Sequence, residues 1–182
     1  MRRRLPLVLG LLLAPATAQR DGSININAPK VTQTVTSGST RISLAYTALA
    51  WGRGAIVKKA MAKGGYDTRK TINDLALSRP AGVFGTSVDL TCGDLKIPAG
   101  EYGLAFTIND NCEWQINFMG RETLTMKLPL NDNKERPSAM LVLSLYAGEQ
   151  GCVCCYIAFG DQACVLTLTP SGSAGKGDTK GG

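Results

Sequence analysis

Strict period-two alternation on both sides of a short polar turn limits what this chain can fold into. Within residues 93–118, Tyr102, Leu104 and Phe106 alternate along one run, and Trp114, Ile116 and Phe118 along the next. A helix would scatter these side chains around its axis, whereas a strand puts every second one on a single face. The stretch therefore predicts an antiparallel strand pair with one buried face, entered through the corner Pro98-Ala99-Gly100.

The same pattern recurs along the chain. Short runs rich in Ile, Val and Thr at 23–27 and 31–35 read as strands, as do 42–51, with Ile42, Leu44 and Tyr46 on one face, and 87–90. Residues 123–128 alternate Leu124, Met126 and Leu128 against Thr and Lys, and 140–146 is apolar enough for a central strand. A closing hairpin, 152–159 and 162–169, turns on Gly160-Asp161, and glycine first in a two-residue loop suits a type II′ turn. One segment departs: residues 55–63 predict two turns of helix, with Ile56, Val57, Ala60 and Met61 on one face and Gly64-Gly65 as terminator. The expected fold class is all-β, a mostly antiparallel β-sandwich or open barrel with at most one short helix.

The ends carry different signals. Arg2, Arg3 and Arg4, the apolar run 5–13 and the small-x-small pattern Ala16-Thr17-Ala18 predict a cleavable signal peptide over 1–18, with cleavage before Gln19. The apolar run is too short to span a bilayer of about 30 Å. No later segment is a transmembrane candidate, so export to a periplasmic or extracellular location is expected. Residues 171–182 read as a flexible Gly/Ser/Lys tail without apolar anchors, which leaves 19–170 as a single β-sandwich domain.

Charge excludes one class of partner. The chain has 20 Lys+Arg against 14 Asp+Glu, and removing the three leader arginines leaves 17 against 14. A net charge of +3 is too mild for nucleic-acid binding. Residues 51–80, however, hold seven basic side chains against two acidic ones. A contact surface for an anionic envelope polymer is expected at Trp51, Arg53, Lys58, Lys59 and Arg69, with a solvated face as the plainer reading.

Catalysis has little to work with. The chain contains no histidine, which removes Ser-His-Asp and Cys-His nucleophiles, histidine-ligated zinc and imidazole acid–base chemistry. No phosphate-cradling glycine loop is present, and no catalytic residue is assigned. Carboxylates at Glu101, Asp110 and Glu113 leave an envelope-polymer hydrolase as the alternative. Six cysteines, Cys92, Cys112, Cys152, Cys154, Cys155 and Cys164, in an exported chain predict disulfides first. A turn at Gly160-Asp161 makes positions summing to 321 face each other, so Cys155 and Cys164 share a face but stand diagonally. A meander through 93–118 keeps Cys92 from Cys112 and sends Cys112 toward the C-terminal hairpin. Four sulfurs from Cys152, Cys154, Cys155 and Cys164 suit zinc or copper(I), a second alternative. Cys-x-Cys-Cys on a strand splits its thiols between two faces, so no metal or cofactor is expected.

The segment Leu95-Lys-Ile-Pro-Ala-Gly-Glu-Tyr-Gly-Leu-Ala-Phe106, followed by Glu113-Trp-Gln-Ile-Asn-Phe118, resembles a signature of the exported bacterial family called domain of unknown function 2911. Phe159-Gly-Asp-Gln-Ala163 is similar to that family's closing hairpin. The likeness spans about residues 42–169 and is strongest from 88 onwards. The family's N-terminal polar motifs are eroded here: Tyr46-Thr-Ala-Leu stands for Tyr-Gly-Arg-Pro, and Arg69 or Arg79 is the nearest remnant of its Trp-Arg motif. The resemblance implies an exported protein of unknown activity. Together with the missing catalytic groups, it favours a non-catalytic envelope or extracellular binding or structural domain.

Overall fold

The computed structural model describes residues 28–50 and 54–171. The leader over 1–18, the strand expected at 23–27, Trp51, Arg53 and the tail beyond 171 lie outside the described residues. Twelve strands and two helices follow in order: β1 (Lys30–Ser37), β2 (Thr40–Thr47), α1 (Ala55–Met61), α2 (Tyr66–Ser78), β3 (Gly82–Thr86), β4 (Leu90–Cys92), β5 (Leu95–Ile97), β6 (Gly100–Ile108), β7 (Trp114–Met119), β8 (Thr123–Lys127), β9 (Asn131–Asp132), β10 (Ser138–Ala147), β11 (Val153–Gly160) and β12 (Gln162–Pro170).

The strands form two antiparallel sheets of six. One has the order β1-β2-β3-β6-β7-β8; the other has β10-β11-β12-β4-β5, with β9 also on β12. The alternating residues of the 93–118 motif do what their period requires. Tyr102, Leu104, Trp114, Ile116 and Phe118 are all buried, on strands paired in the register Leu104↔Phe118 and Phe106↔Ile116. Phe84 and Phe118 meet edge-on at 5.3 Å, and Phe118 meets Tyr102 at 6.2 Å. The second sheet contributes Leu143, Val153, Ile157 and Leu168, each fully buried. Two rings join the sheets: Trp114 of β7 and Phe159 of β11 stand edge-on with centroids 5.0 Å apart.

β1 shows how an apparent defect in a pattern becomes a tie. Val31, Gln33 and Val35 take the half-buried positions of the strand, so a polar residue occupies an inward place. Its amide donates to the Leu143 carbonyl at 2.8 Å and accepts from the Leu145 N–H at 2.8 Å, pinning edge strand β10 to β1. Leu141 N–H to Leu49 O at 2.8 Å and the bridge Ala50↔Met140 extend the seam.

Three expectations need correction. There are two helices, not one. α1 forms where periodicity predicts it, but α2 has no buried residue and carries its apolar side chains thinly. It is held by polar ties: the Asn73 amide donates to Ile108 O at 2.8 Å and accepts from Ile108 N–H at 2.9 Å. Of the strand expected at 87–90 only Leu90 is in a strand, as the start of β4; residues 87–89 turn between β3 and β4, with the Thr86 hydroxyl donating to Val88 O. β3 escapes notice because Gly82 and Gly85 interrupt it. At Gly82 a Cβ would stand 2.5 Å from Ala45 O, so close strand approach requires glycine there.

The third correction concerns the entry to the motif. Residues 90–97 form a hairpin around Gly93, whose φ is +59°, and this hairpin belongs to the second sheet. Cys92 lies on β4 of the second sheet and Cys112 in the β6–β7 turn of the first, and the two are not bonded.

The seam through Gln33 is testable. Gln33→Ala strands the Leu143 carbonyl and the Leu145 N–H, and is expected to lower stability by about 1–3 kcal/mol. Urea unfolding should show a lower midpoint at unchanged slope.

Candidate functional site

The C-terminal hairpin has the expected register: Cys155 opposes Leu166, Ile157 opposes Cys164, and Phe159 opposes Gln162 across Gly160-Asp161. Gly160 has φ +57°, as a tight two-residue loop demands. This turn lies opposite α1, and between them opens a groove of about 490 Å³. Gly54, Val57, Lys58 and Met61 form one wall, Pro137 to Ala139 and Gly160 to Gln162 the other, and Trp114 contributes to the lining. A second, smaller hollow of about 380 Å³ lies over Tyr46, Pro80 and Gly82, with Lys30 as its one charged lining residue.

The basic residues expected to act together divide. Lys58 lines the groove and is exposed; Lys59 is exposed on the last turn of α1. Arg53 and Trp51 precede Gly54 in the chain but lie outside the described residues. Arg69 has a different role. Its guanidinium donates to Ala60 O at 2.7 Å and to Cys112 Sγ at 3.3 Å, tying α2 to α1 and to the β6–β7 turn. Lys70 pairs with Asp74 at 2.6 Å on the exposed face of α2.

Glu101 and Glu113 do not form a catalytic pair. Glu101 opens β6 and Glu113 sits beyond its far end, hydrogen-bonded to Asn109. The strand between them spans roughly 25 Å, whereas glycosidase carboxylates stand about 5–10 Å apart. Lys127 at 2.5 Å, followed by the Asn109 amide, holds the Glu113 carboxyl below the ordinary glutamate range. That direction suits a fixed anion and opposes a general acid.

All six cysteines carry free thiols, so the expected disulfide staples are absent. Cys112 does not reach the hairpin; it takes φ +60° in the β6–β7 turn beside Arg69. Cys92, Cys155 and Cys164 are buried. Burial pushes the Cys155 thiol up to about 12, with further pressure from Cys164 and Cys92, and the Cys164 thiol up to about 11. These three are core thiols, inert at neutral pH. Cys152 and Cys154 lie half-buried near the start of β11, on the other face from Cys155. Among the described residues, no three His, Cys, Asp or Glu side chains are grouped to hold a metal ion. No described helix is long and apolar enough to cross a membrane.

Comparison with protein-family models, with curated proteins and with solved structures finds no match to this chain. Functional assignment rests on the groove and the thiols themselves. The groove was only half legible in the sequence. Lys58 was in view from the charge count, but Trp114 reads as core by alternation. It is 8% exposed, and its place in the lining follows from the inter-sheet packing.

The Glu113 environment yields a pH test. A lowered folded value means that this group's stabilisation is present above the ordinary carboxylate range and is lost as pH falls through the lowered value. Carbon-detected NMR titration should place the Glu113 midpoint below the ordinary glutamate value, and Lys127→Met should move it upward. A midpoint above the ordinary value would restore Glu113 as an acid catalyst.

Proposed function

We propose that the protein is a non-catalytic binding domain of the bacterial envelope or extracellular space, and that it grips an anionic glycan polymer in the groove beside α1. The observation that carries this reading is the lining of the groove. An aromatic ring, Trp114, and apolar Val57 and Met61 lie beside the cationic Lys58. Apolar faces of sugar rings would pack on Val57 and Met61 beside the buried indole's edge, and carboxylate or sulfate groups along the polymer would meet the ammonium group. Lys59 and Lys63, both exposed, continue the positive charge along the same segment. The leader pattern over 1–18 supports export. The likeness of residues 95–118 to the exported family noted above supports the same compartment.

Two features weigh against the hydrolase reading. A chain of 182 residues without histidine lacks the commonest acid–base catalyst. Glu113 is committed to Lys127 and Asn109.

The test uses the two tryptophans of the chain. With Trp51→Phe, Trp114 becomes the sole indole reporter. Alginate titrated into this variant is expected to shift Trp114 emission in a saturable, salt-weakened way, while uncharged dextran leaves it unchanged. Lys58→Ala should weaken binding by about fivefold, the loss of roughly 1 kcal/mol expected for a partly solvated charge contact. Silent emission, or equal response to dextran, would overturn the proposal. Shortening of the polymer that stops on Glu113→Gln would favour the hydrolase.

A further inference from the structure

The loop joining β10 to β11 folds back on itself in a tight turn. Gly148 N–H donates to Cys152 O at 2.9 Å, and Cys152 N–H donates to Glu149 O at 3.1 Å. Inside this turn Gln150 takes φ +53° and ψ +29°, a left-handed conformation that a residue with a Cβ adopts at a cost, and Gly151 follows at φ +79°. The result is a meeting of sulfurs. A Cβ built on Gly148 would stand 2.5 Å from Cys152 Sγ and 3.1 Å from Cys154 Sγ, so both thiols converge over one glycine. Burial, and after it the neighbouring Cys154 thiol, pushes the Cys152 thiol up from its ordinary value. Tyr146 on β10 is the cross-strand partner of Cys154.

The site is open. Tyr146 is 44% exposed and Val165 is 46% exposed, an apolar rim beside half-buried sulfurs. Cys155, by contrast, points into the core with Cys164 and Cys92.

We propose that Cys152 and Cys154 form a reversible dithiol–disulfide couple that exchanges with small organic disulfides. One thiol, losing its proton, attacks a sulfur of the small disulfide and expels the first organic thiolate, leaving a mixed disulfide. The second thiol, losing its proton, attacks the protein sulfur of that bond, expels the second thiolate and closes the Cys152–Cys154 bridge. The protein gives up two electrons and two protons; the small disulfide takes both and leaves as two thiols. Two residues of extended chain separate the Cα atoms by roughly 6.6 Å, near the upper limit of about 6.8 Å for a bridge. Closure is therefore within reach, and a bridge at this open site is easily reduced. Cys152 precedes the first paired residue of β11, Val153, so it can move without breaking the ladder. The inference is independent of the groove reading.

The experiment uses the full folded chain with oxidised glutathione, followed by alkylation of remaining thiols and mass analysis of the tryptic fragment 135–176, which holds four of the six cysteines. The expected product has two fewer alkylated thiols and is lighter by two hydrogens, and reduced glutathione reverses it. Cys155→Ser and Cys164→Ser should behave alike and form the same bridge. Cys152→Ser and Cys154→Ser should each stop at a stable glutathione adduct. A bridge that persists in either of those variants would overturn the proposal, as would one that resists reduced glutathione. Absence of reaction in the folded chain, when the urea-unfolded chain is oxidised, would do the same. Unchanged tryptophan emission across the variants confirms that each is folded.

Discussion

The edge-on contact between Trp114 and Phe159 is the point on which the two sheets depend. Each sheet can pair its own strands, but neither can dry its inner face alone. Trp114 begins β7 in one sheet and Phe159 nears the end of β11 in the other, so their meeting fixes the layers at one end. Phe106 of β6 approaches the same ring at 6.5 Å. Such an aromatic pair adds about 0.5–1.5 kcal/mol beyond the area it buries. Because the Gly160-Asp161 turn follows Phe159 directly, the contact also sets the wall of the groove that faces α1.

Amide side chains complete what strand pairing leaves open. Gln33 supplies a donor and an acceptor to β10, and Asn73 does the same for the end of β6. Asn117, buried among β6, β7 and β8, donates to the Thr107 hydroxyl at 2.9 Å and accepts from the Thr125 hydroxyl at 2.8 Å. In each case a polar group inside the fold is matched, so burial does not carry the cost of an unpaired donor. α2 shows how far such ties extend: it lies along β6 without a single buried residue, anchored by Asn73 at one level and by Arg69 against Ala60 and Cys112.

These ties explain what the sequence revealed and what it concealed. Alternation located β6, β7, β8, β10 and the closing hairpin, because their apolar residues face one core and a strand has a period of two. The summed register of the hairpin placed Cys155 and Cys164 on one face correctly, since a two-residue turn leaves no freedom in pairing. α1 was legible from its apolar face, although it ends at Met61 with Ala62 as its cap, before the expected terminator Gly64-Gly65. α2 was not, since it packs on the core through Ile72 and is otherwise anchored by hydrogen bonds to a distant strand, which leave no periodic trace. β3 was hidden by glycines that serve close packing, and the hairpin of β4 and β5 by its brevity. The meeting of Cys152 with Cys154 depends on a left-handed Gln150, a conformation that residue type does not announce.

The groove and the thiol pair rely on the same hairpin in different ways. The groove uses its turn, and the thiols use the opposite end of β11, where the ladder stops. A double-mutant cycle on Trp114→Leu and Phe159→Leu, read by urea unfolding, tests whether the inter-sheet contact governs the fold. A coupling of about 0.5–1.5 kcal/mol between the two positions is the predicted result. Additivity of the two losses within about 0.3 kcal/mol would show that the rings do not act on each other and would contradict the account.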